Sequence, residues 1–189
     1  GGLMRRKDDE KEQRIRHAVI ELMLQEGFNG TSIAKIARLA GVSPATVYIY
    51  YENKEEMLQD IYLEYSEEVF DYLLKGIDRN MSSAQMIETL IRRYYRYMTL
   101  HPEAFCFVEQ FANCPSLSSK CSCTKKVQNI FHWIEAKNDR PLLRHYSDAT
   151  VSAILFYPVK AIAADHSHSE QEKQGQLEEL IEMIRKALL

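Results

Sequence analysis

The chain has 189 residues, of which 46% are hydrophobic, and a formal net charge of −3. This apolar content is enough for a proper core, and seven glycines with five prolines are few for this length, which favours an all-helical protein over a sheet protein. No apolar run is long enough to cross a membrane and no signal peptide is visible, so we expect a cytoplasmic protein without a membrane partner.

The net charge hides an uneven distribution along the chain. Residues 1–54 hold nine Lys/Arg and seven Asp/Glu, a net charge of +2, whereas residues 55–189 hold 15 Lys/Arg and 20 Asp/Glu, a net charge of −5. The positive charge therefore lies in the segment whose motif, described below, predicts contact with phosphates. We expect such binding to depend strongly on salt.

The first predicted helix runs from about residue 8 to residue 26. Ile15, Ala18, Val19 and Leu22 recur at helical spacing and mark its buried stripe. Gly27 follows the last periodic turn and is predicted to end the helix.

Two short helices joined by a tight turn come next. Thr31 or Ser32 caps the first of them, because a side-chain oxygen accepts a backbone N–H that has no partner at a helix start. Gly41 follows that helix and suits a left-handed turn, and Ser43 and Pro44 suit the cap and first position of the second helix. This layout is that of a helix-turn-helix that reads DNA, so the sequence predicts double-stranded DNA as a partner.

The outer face of the second helix is the predicted reading surface. Val47 and Tyr51 should point inward, which leaves small and hydroxyl-bearing side chains outward, as suits an approach to base edges and phosphates. Lys54 opens the next helix, where its charge is unfavourable for the helix dipole unless a phosphate lies nearby. The predicted DNA-binding residues are Thr31, Lys35, Arg38, Ser43, Pro44, Ala45, Thr46, Tyr48, Tyr50 and Lys54.

A plainer interpretation of the same stretch is three short helices of an ordinary bundle. The tyrosines would then belong to the core, and the basic residues to a solvated face. The caps, the turn, the periodicity and the lysine occur together in register, and this combination favours DNA binding.

The rest of the chain predicts six further helices, for about nine in total and an all-α fold class. The first of the six is a long helix from Asn53 to about Arg79, roughly 39 Å at the rise of an α-helix, which would link the DNA-binding head to the body. Residues 113–122 are rich in Ser, Cys and Pro and predict a loop. The later helices are predicted to begin near Ser82, Pro102, Val127, Ser147 and Ser169.

Residues 14–58 closely resemble the N-terminal domain of the TetR family of transcriptional regulators. The matching stretches are Gly27-Phe28, Thr31-Ser32-Ile33, Ile36-Ala37, Ala40-Gly41-Val42-Ser43, Thr46-Val47-Tyr48, Tyr50-Tyr51 and Asn53-Lys54-Glu55. Ala45 stands where many members have glycine, a mild change. The resemblance implies a helix-turn-helix DNA-binding domain at residues 1–53 and a helical effector-binding and dimerisation domain at residues 54–189.

The resemblance also implies that the last two helices form a homodimer interface as a four-helix bundle. The alternative is that both helices pack only within one chain. A dimer favours DNA binding, because two recognition helices then reach half-sites about one DNA turn apart. The predicted interface residues are Val151, Ile154, Leu155, Leu177, Leu180, Ile181 and Ile184.

Large aromatic residues are frequent in the middle helices. They suit an apolar pocket for an unknown small-molecule effector, itself largely apolar or aromatic, and they equally suit an ordinary helical core. The predicted pocket residues are Tyr65, Tyr94, Tyr97, Phe105, Glu109, Phe131, Trp133, Phe156 and Tyr157.

Four cysteines, Cys106, Cys114, Cys121 and Cys123, lie close together in the sequence. Such a cluster suits a redox or metal sensor on the same scaffold, which is the alternative function. Thiols of a cytosolic protein stay reduced by default, so an inert cluster is the favoured interpretation. The spacing between Cys121 and Cys123 does not match that of common zinc sites, so we assign no metal site and no cofactor.

The sequence as a whole predicts a dimeric, ligand-responsive repressor that binds a palindromic operator. No catalytic motif is present, so we do not expect an enzyme. A third possibility is a protein-interaction module whose helix-turn-helix no longer reads DNA, which would bind DNA without sequence preference and with little salt dependence.

Overall fold

The computed structural model describes residues 2–113 and 146–189, with side chains from residue 8 onwards except at residue 148. The described residues form eight α-helices and no strand, so the predicted all-α class is confirmed. In chain order the helices are α1 (Gly2–Gly30), α2 (Ile33–Ala40), α3 (Pro44–Tyr50), α4 (Lys54–Lys75), α5 (Ser83–Leu100), α6 (Pro102–Ala112), α7 (Asp148–Ala164) and α8 (Glu170–Leu188).

Local signals place most helix boundaries where the sequence predicts them. Gly27 interrupts α1 with φ 72°, a conformation that glycine adopts without a Cβ penalty. Ser82 and Ser169 each form a capping box with the residue three positions later. The helix predicted from Val127 lies outside the described residues, as does most of the predicted loop at residues 113–122.

The predicted end of α4 near Arg79 is wrong, because the helix ends at Lys75. Gly76 follows, with its N–H donating to the Leu73 carbonyl over 3.2 Å. A Cβ at Gly76 would lie 2.1 Å from Cδ of Arg93, so a larger residue at this position would force the Arg93 side chain to move. Sequence periodicity does not report such a tertiary contact.

The described chain divides into two compact units, residues 2–66 with 102–113 and residues 67–101 with 146–189. Helix α4 supplies residues to both units, so the functional boundary predicted after residue 53 stays a prediction. Side chains of α1, α2, α3, α4 and α6 share one core in the first unit. Its fully buried members include Ile15, Val19, Ile36, Val47, Leu58, Ile61, Phe107 and Phe111.

The second unit buries one face each of α5, α7 and α8. Leu90 and Ile91 of α5, Leu155 of α7, and Leu177 and Ile181 of α8 are each at most 4% exposed. These three helices contact one another pairwise, which makes a small helical bundle whose stability comes mainly from apolar burial.

Candidate nucleic-acid interface

The turn between α2 and α3 is closed by backbone hydrogen bonds. Gly41 has φ 69° and ψ 35°, and the N–H of Val42 donates to the Ala37 carbonyl over 2.9 Å. This left-handed cap satisfies carbonyls at the end of α2 and redirects the chain within two residues. The predicted role of Gly41 is confirmed.

Both short helices begin at a serine cap. The Ser32 hydroxyl accepts from the backbone N–H of Lys35, and the Ser43 hydroxyl accepts from that of Thr46, each over 3.2 Å. Pro44 occupies the first position of α3, where its missing N–H has no cost. The entry to α3 is therefore fixed by local chemistry, as the sequence predicts.

The burial of Val47 fixes the orientation of α3 about its own axis. Val47 is fully buried, and Tyr51, just after the helix, is 6% exposed. Ala45, Tyr48 and the helix start at Ser43 and Pro44 are exposed, and Thr46 is half-buried with its hydroxyl 2.9 Å from that of Ser43. The predicted outer face of α3 is thus accessible as a continuous surface.

The basic side chains of α2 that are predicted to contact phosphates differ in their partners within the protein. The Nζ of Lys35 lies 2.5 Å from a carboxylate oxygen of Glu26 and also donates to the Gly30 carbonyl. Arg38 is exposed at the end of α2 and forms no ion pair within the described residues. Arg38 is accordingly the more available cation of the two.

Three other predicted DNA contacts have partners inside the first unit. Thr31 is 1% exposed and its hydroxyl donates to the Gly27 carbonyl over 2.8 Å. The Nζ of Lys54 donates to the Phe28 carbonyl over 2.9 Å. The Tyr50 hydroxyl donates to the carbonyl of Asp8 over 3.2 Å.

The pKa of Tyr50 is raised, first by desolvation and then by the negative charges of Asp8, Glu12 and Asp9. A tyrosine hydroxyl is protonated at neutral pH in any case, and this shift extends to higher pH the range over which Tyr50 is a hydrogen-bond donor.

Sequence reasoning missed Ile49, the most exposed large apolar side chain among the described residues at 77%. Leu39, at the end of α2, is 47% exposed. A helical projection of α3 with Val47 inward would have found Ile49, because a residue two positions away points to the opposite side.

The predicted pocket residues lie in both units, and each unit brings some of them into ring contacts. In the second unit, the rings of Tyr94 and Phe156 meet edge to face with centroids 5.1 Å apart, and Tyr97 is 5% exposed. In the first unit, Tyr65 contacts Phe107 with centroids 6.3 Å apart. Phe105 and Glu109 are half-buried on α6, Tyr157 is 65% exposed, and Phe131 and Trp133 lie outside the described residues.

A groove of about 630 Å³ lies in the second unit between α5 and α8. Its lining includes Glu88, Glu178, Glu182 and Arg185 and none of the predicted aromatic residues. Arg92 bridges the two helices nearby, within 2.9 Å of Glu88 and 2.6 Å of Glu178. This groove does not resemble the predicted apolar pocket.

Most of the predicted dimer residues are buried within the single chain. Their exposed fractions range from 1% to 4% for Val151, Leu155, Leu177, Ile181 and Ile184. Ile154 is 43% exposed, and Leu180 is half-buried. Tyr157 on α7, at 65%, and Met183 on α8, at 68%, are exposed apolar side chains on the same two helices.

Cys106 is exposed on α6, and the other three cysteines lie outside the described residues. Within residues 2–113 and 146–189, no three His, Cys, Asp or Glu side chains gather in a group that could hold a metal ion. No helix in this part of the chain has the length and apolar character required to cross a membrane.

Comparison with known sequences shows that the chain is similar to DNA-binding transcriptional regulators. Residues 15–61 match the sequence model of the bacterial regulatory proteins of the tetR family. An uncharacterised helix-turn-helix transcriptional regulator of Haemophilus influenzae is 23% identical over 130 residues, which cover 67% of this chain and 66% of that protein. The fatty acid metabolism regulator protein of Bacillus subtilis is 25% identical over 85 residues, which cover 45% of this chain and 44% of that protein.

A further curated relative is a negative transcriptional regulator of a biofilm operon in Staphylococcus epidermidis, 28% identical over 42% of this chain and 40% of its own. These matches span less than two thirds of the relatives' lengths. Among solved structures, a TetR family transcription regulator from Marinobacter aquaeolei is similar with a TM-score of 0.77 and 22% identity, over 94% of this chain and 97% of that one. That likeness extends the similarity of fold to the second unit.

Proposed function

We infer the function from the premise that this chain carries, at residues 15–61, the DNA-binding domain of the TetR family. The protein is a DNA-binding transcriptional regulator rather than an enzyme. The observation that supports this conclusion most directly is the turn at Gly41 between α2 and α3. Val47 is the buried residue of α3, so the outer face of that helix stays accessible.

In the proposed complex, α3 lies in the major groove of double-stranded DNA. The exposed residues Ser43 to Ala45 and Tyr48, with the half-buried Thr46, approach bases and phosphates. Arg38 holds a phosphate beside the groove. Lys35, Tyr50 and Lys54 reach phosphates only by sharing or leaving their present partners, so they contribute less. Thr31 is buried, with its hydroxyl bonded to the Gly27 carbonyl, and is left out of the contact surface.

We propose that the protein binds its operator as a homodimer through α7 and α8. The exposed apolar side chains on these helices, Ile154, Tyr157 and Met183, are suited to meet a second copy. The residues that are buried in the single chain stabilise the two helices from behind. A symmetric dimer presents two α3 helices to half-sites of a palindrome.

The proposed regulation is repression relieved by a small molecule. A negative regulator and a regulator of fatty acid metabolism are among the relatives, which supports repression and an apolar effector. The tyrosine and phenylalanine side chains of the second unit, such as Tyr94 with Phe156, are the groups that would meet the effector. Such a regulator acts in the cytoplasm, where its operator is.

Selection from a pool of random DNA duplexes tests this function. The purified protein should enrich a palindrome and bind it with a steep, linear dependence of log affinity on log salt concentration. Arg38→Ala should lower that slope by about two units, one for each copy of Arg38 in the dimer. Lys75→Ala, which removes an exposed cation from the end of α4, should leave the slope unchanged. The function would be contradicted if the selection enriched no duplex. It would also be contradicted if affinity depended little on salt, and to the same extent, for wild type, Arg38→Ala and Lys75→Ala.

A further inference from the structure

The outward face of α3 carries an apolar ridge made of Ala45 and Ile49. These residues are four positions apart and therefore stand one above the other on the helix surface. Val47 lies midway between them in sequence and is fully buried, so the ridge is the part of α3 that points farthest from the core. Both side chains are exposed, Ile49 at 77%.

The chemistry of this ridge excludes most ways of contacting DNA. Neither side chain has a hydrogen-bond donor or a positive charge, so neither binds a phosphate oxygen or a polar base edge. The apolar group that the major groove offers is the 5-methyl group of thymine. An exposed isoleucine on a groove-facing helix therefore matches one feature of the DNA surface.

We propose that Ile49, with Ala45 beside it, is a specificity-determining residue that reads thymine methyl groups in the operator. The proposal rests on the proposed function, since it requires α3 to lie in the major groove. Thr46 and Tyr48 flank the ridge on its two sides and carry hydroxyls. These polar neighbours keep the helix in register with the backbone while the ridge meets the methyl groups.

Deoxyuridine provides a direct probe, because it pairs like thymidine and lacks only the 5-methyl group. The operator is first obtained by selection from random duplexes, and each thymine is then replaced singly by uracil. At one or two positions of each half-site we expect the wild-type protein to lose affinity about fourfold, the value of one buried methyl group.

Variants assign the effect to the ridge. Ile49→Ala should bind the thymine operator more weakly and should bind the thymine and uracil operators almost equally at those positions. Ile49→Val keeps part of the contact and should fall between. Leu100→Ala removes another exposed apolar side chain, 52% exposed at the end of α5, and should keep the full wild-type difference. Circular dichroism checks that each variant is folded.

The outcomes separate the two claims. If selection enriches a palindrome and uracil weakens wild type but not Ile49→Ala, the inference stands. If a palindrome is enriched and uracil has no effect anywhere, or has the same effect on Ile49→Ala as on wild type, the inference is overturned and the regulator function remains. If no duplex is enriched, both fail together.

Discussion

The ammonium group of Lys54 lies 4.0 Å from the centre of the Phe28 ring and donates a hydrogen bond to the Phe28 carbonyl over 2.9 Å. Phe28 in turn packs against the core of the first unit. One side chain thus ties the first residue of α4 to the segment that follows the kink at Gly27. Lys54 stabilises the head directly, in addition to any contact with DNA.

Lys54→Met should therefore lower the free energy of unfolding by about 1–2 kcal/mol, because it removes a cation–π contact and a hydrogen bond while keeping most of the aliphatic stem. Urea unfolding followed by circular dichroism measures the change. Lys75→Met, at the exposed end of the same helix, is the matched control and should change stability little. Equal stability of the two variants would mean that the Phe28 contact contributes nothing.

Two glycines allow opposite predictions for the same substitution. Gly41→Ala should destabilise the protein by about 1 kcal/mol or more, because φ is 69° there and an L side chain is strained in that conformation. An added Cβ would meet only Arg14 Nη1 at 3.6 Å, an ordinary contact, so the cost is conformational.

Gly175→Ala is the counterpart within α8. Beyond its neighbours and the backbone of its own helix, no atom lies within 4 Å of the added Cβ. Alanine favours a helix interior over glycine, so stability should rise by about 0.5–1 kcal/mol. Thermal unfolding of the two variants and of wild type measures the sign of each change in stability. A shift of both in the same direction would contradict the assigned backbone conformations.

The sequence predicts those features of the head that depend on neighbouring residues. The caps at Ser32 and Ser43, the left-handed Gly41 and the inward Val47 all follow from interactions within four or five positions. The resemblance to the TetR family is confirmed by the family match at residues 15–61, the stretch that contains these local signals.

Contacts between distant parts of the chain were not predictable in the same way. The partner of Lys54 is 26 positions away and that of Tyr50 is 42 positions away, so neither follows from periodicity. For α7 and α8 the apolar pattern identifies residues that need burial. It does not show whether a helix of the same chain or a second copy covers them, and Leu155 and Ile181 are covered within the chain.

Stability at high pH should depend on Tyr95. Burial, the hydrogen bond to Glu170 and the charge of that carboxylate raise the pKa of Tyr95 to about 12, from an ordinary value of 10.0. The Tyr95 hydroxyl lies 3.0 Å from both Glu170 carboxylate oxygens. Because the folded-state pKa is raised, this contribution is fully present below pH 10 and is lost as the pH rises towards 12.

The measurement is urea unfolding between pH 8 and pH 11.5 for wild type and Tyr95→Phe, at intervals of about half a unit. Lysines titrate in the same range in both proteins, so the difference between the two curves isolates the tyrosine. Wild type should lose about 2 kcal/mol more than the variant across this window. Parallel curves would show that Tyr95 does not have the raised pKa.

The proposed dimer can be tested by placing charge on the exposed apolar residues of α7 and α8. Ile154→Glu with Met183→Glu should convert the protein from dimer to monomer in sedimentation velocity, because two like charges would be buried at each copy of a symmetric interface. Both side chains are exposed in the single chain, so the monomer should remain helical. Gln171→Glu adds charge at an exposed position in the first turn of α8 and should leave the dimer intact.

Operator affinity supplies the second readout of the same variants. A monomer reaches only one half-site, so the double variant should lose at least about a hundredfold in affinity for the full palindrome while keeping its weak binding to a single half-site. A double variant that stays dimeric would move the interface away from Ile154 and Met183. A monomer that binds the palindrome as tightly as wild type would show that dimerisation is not what positions the two α3 helices.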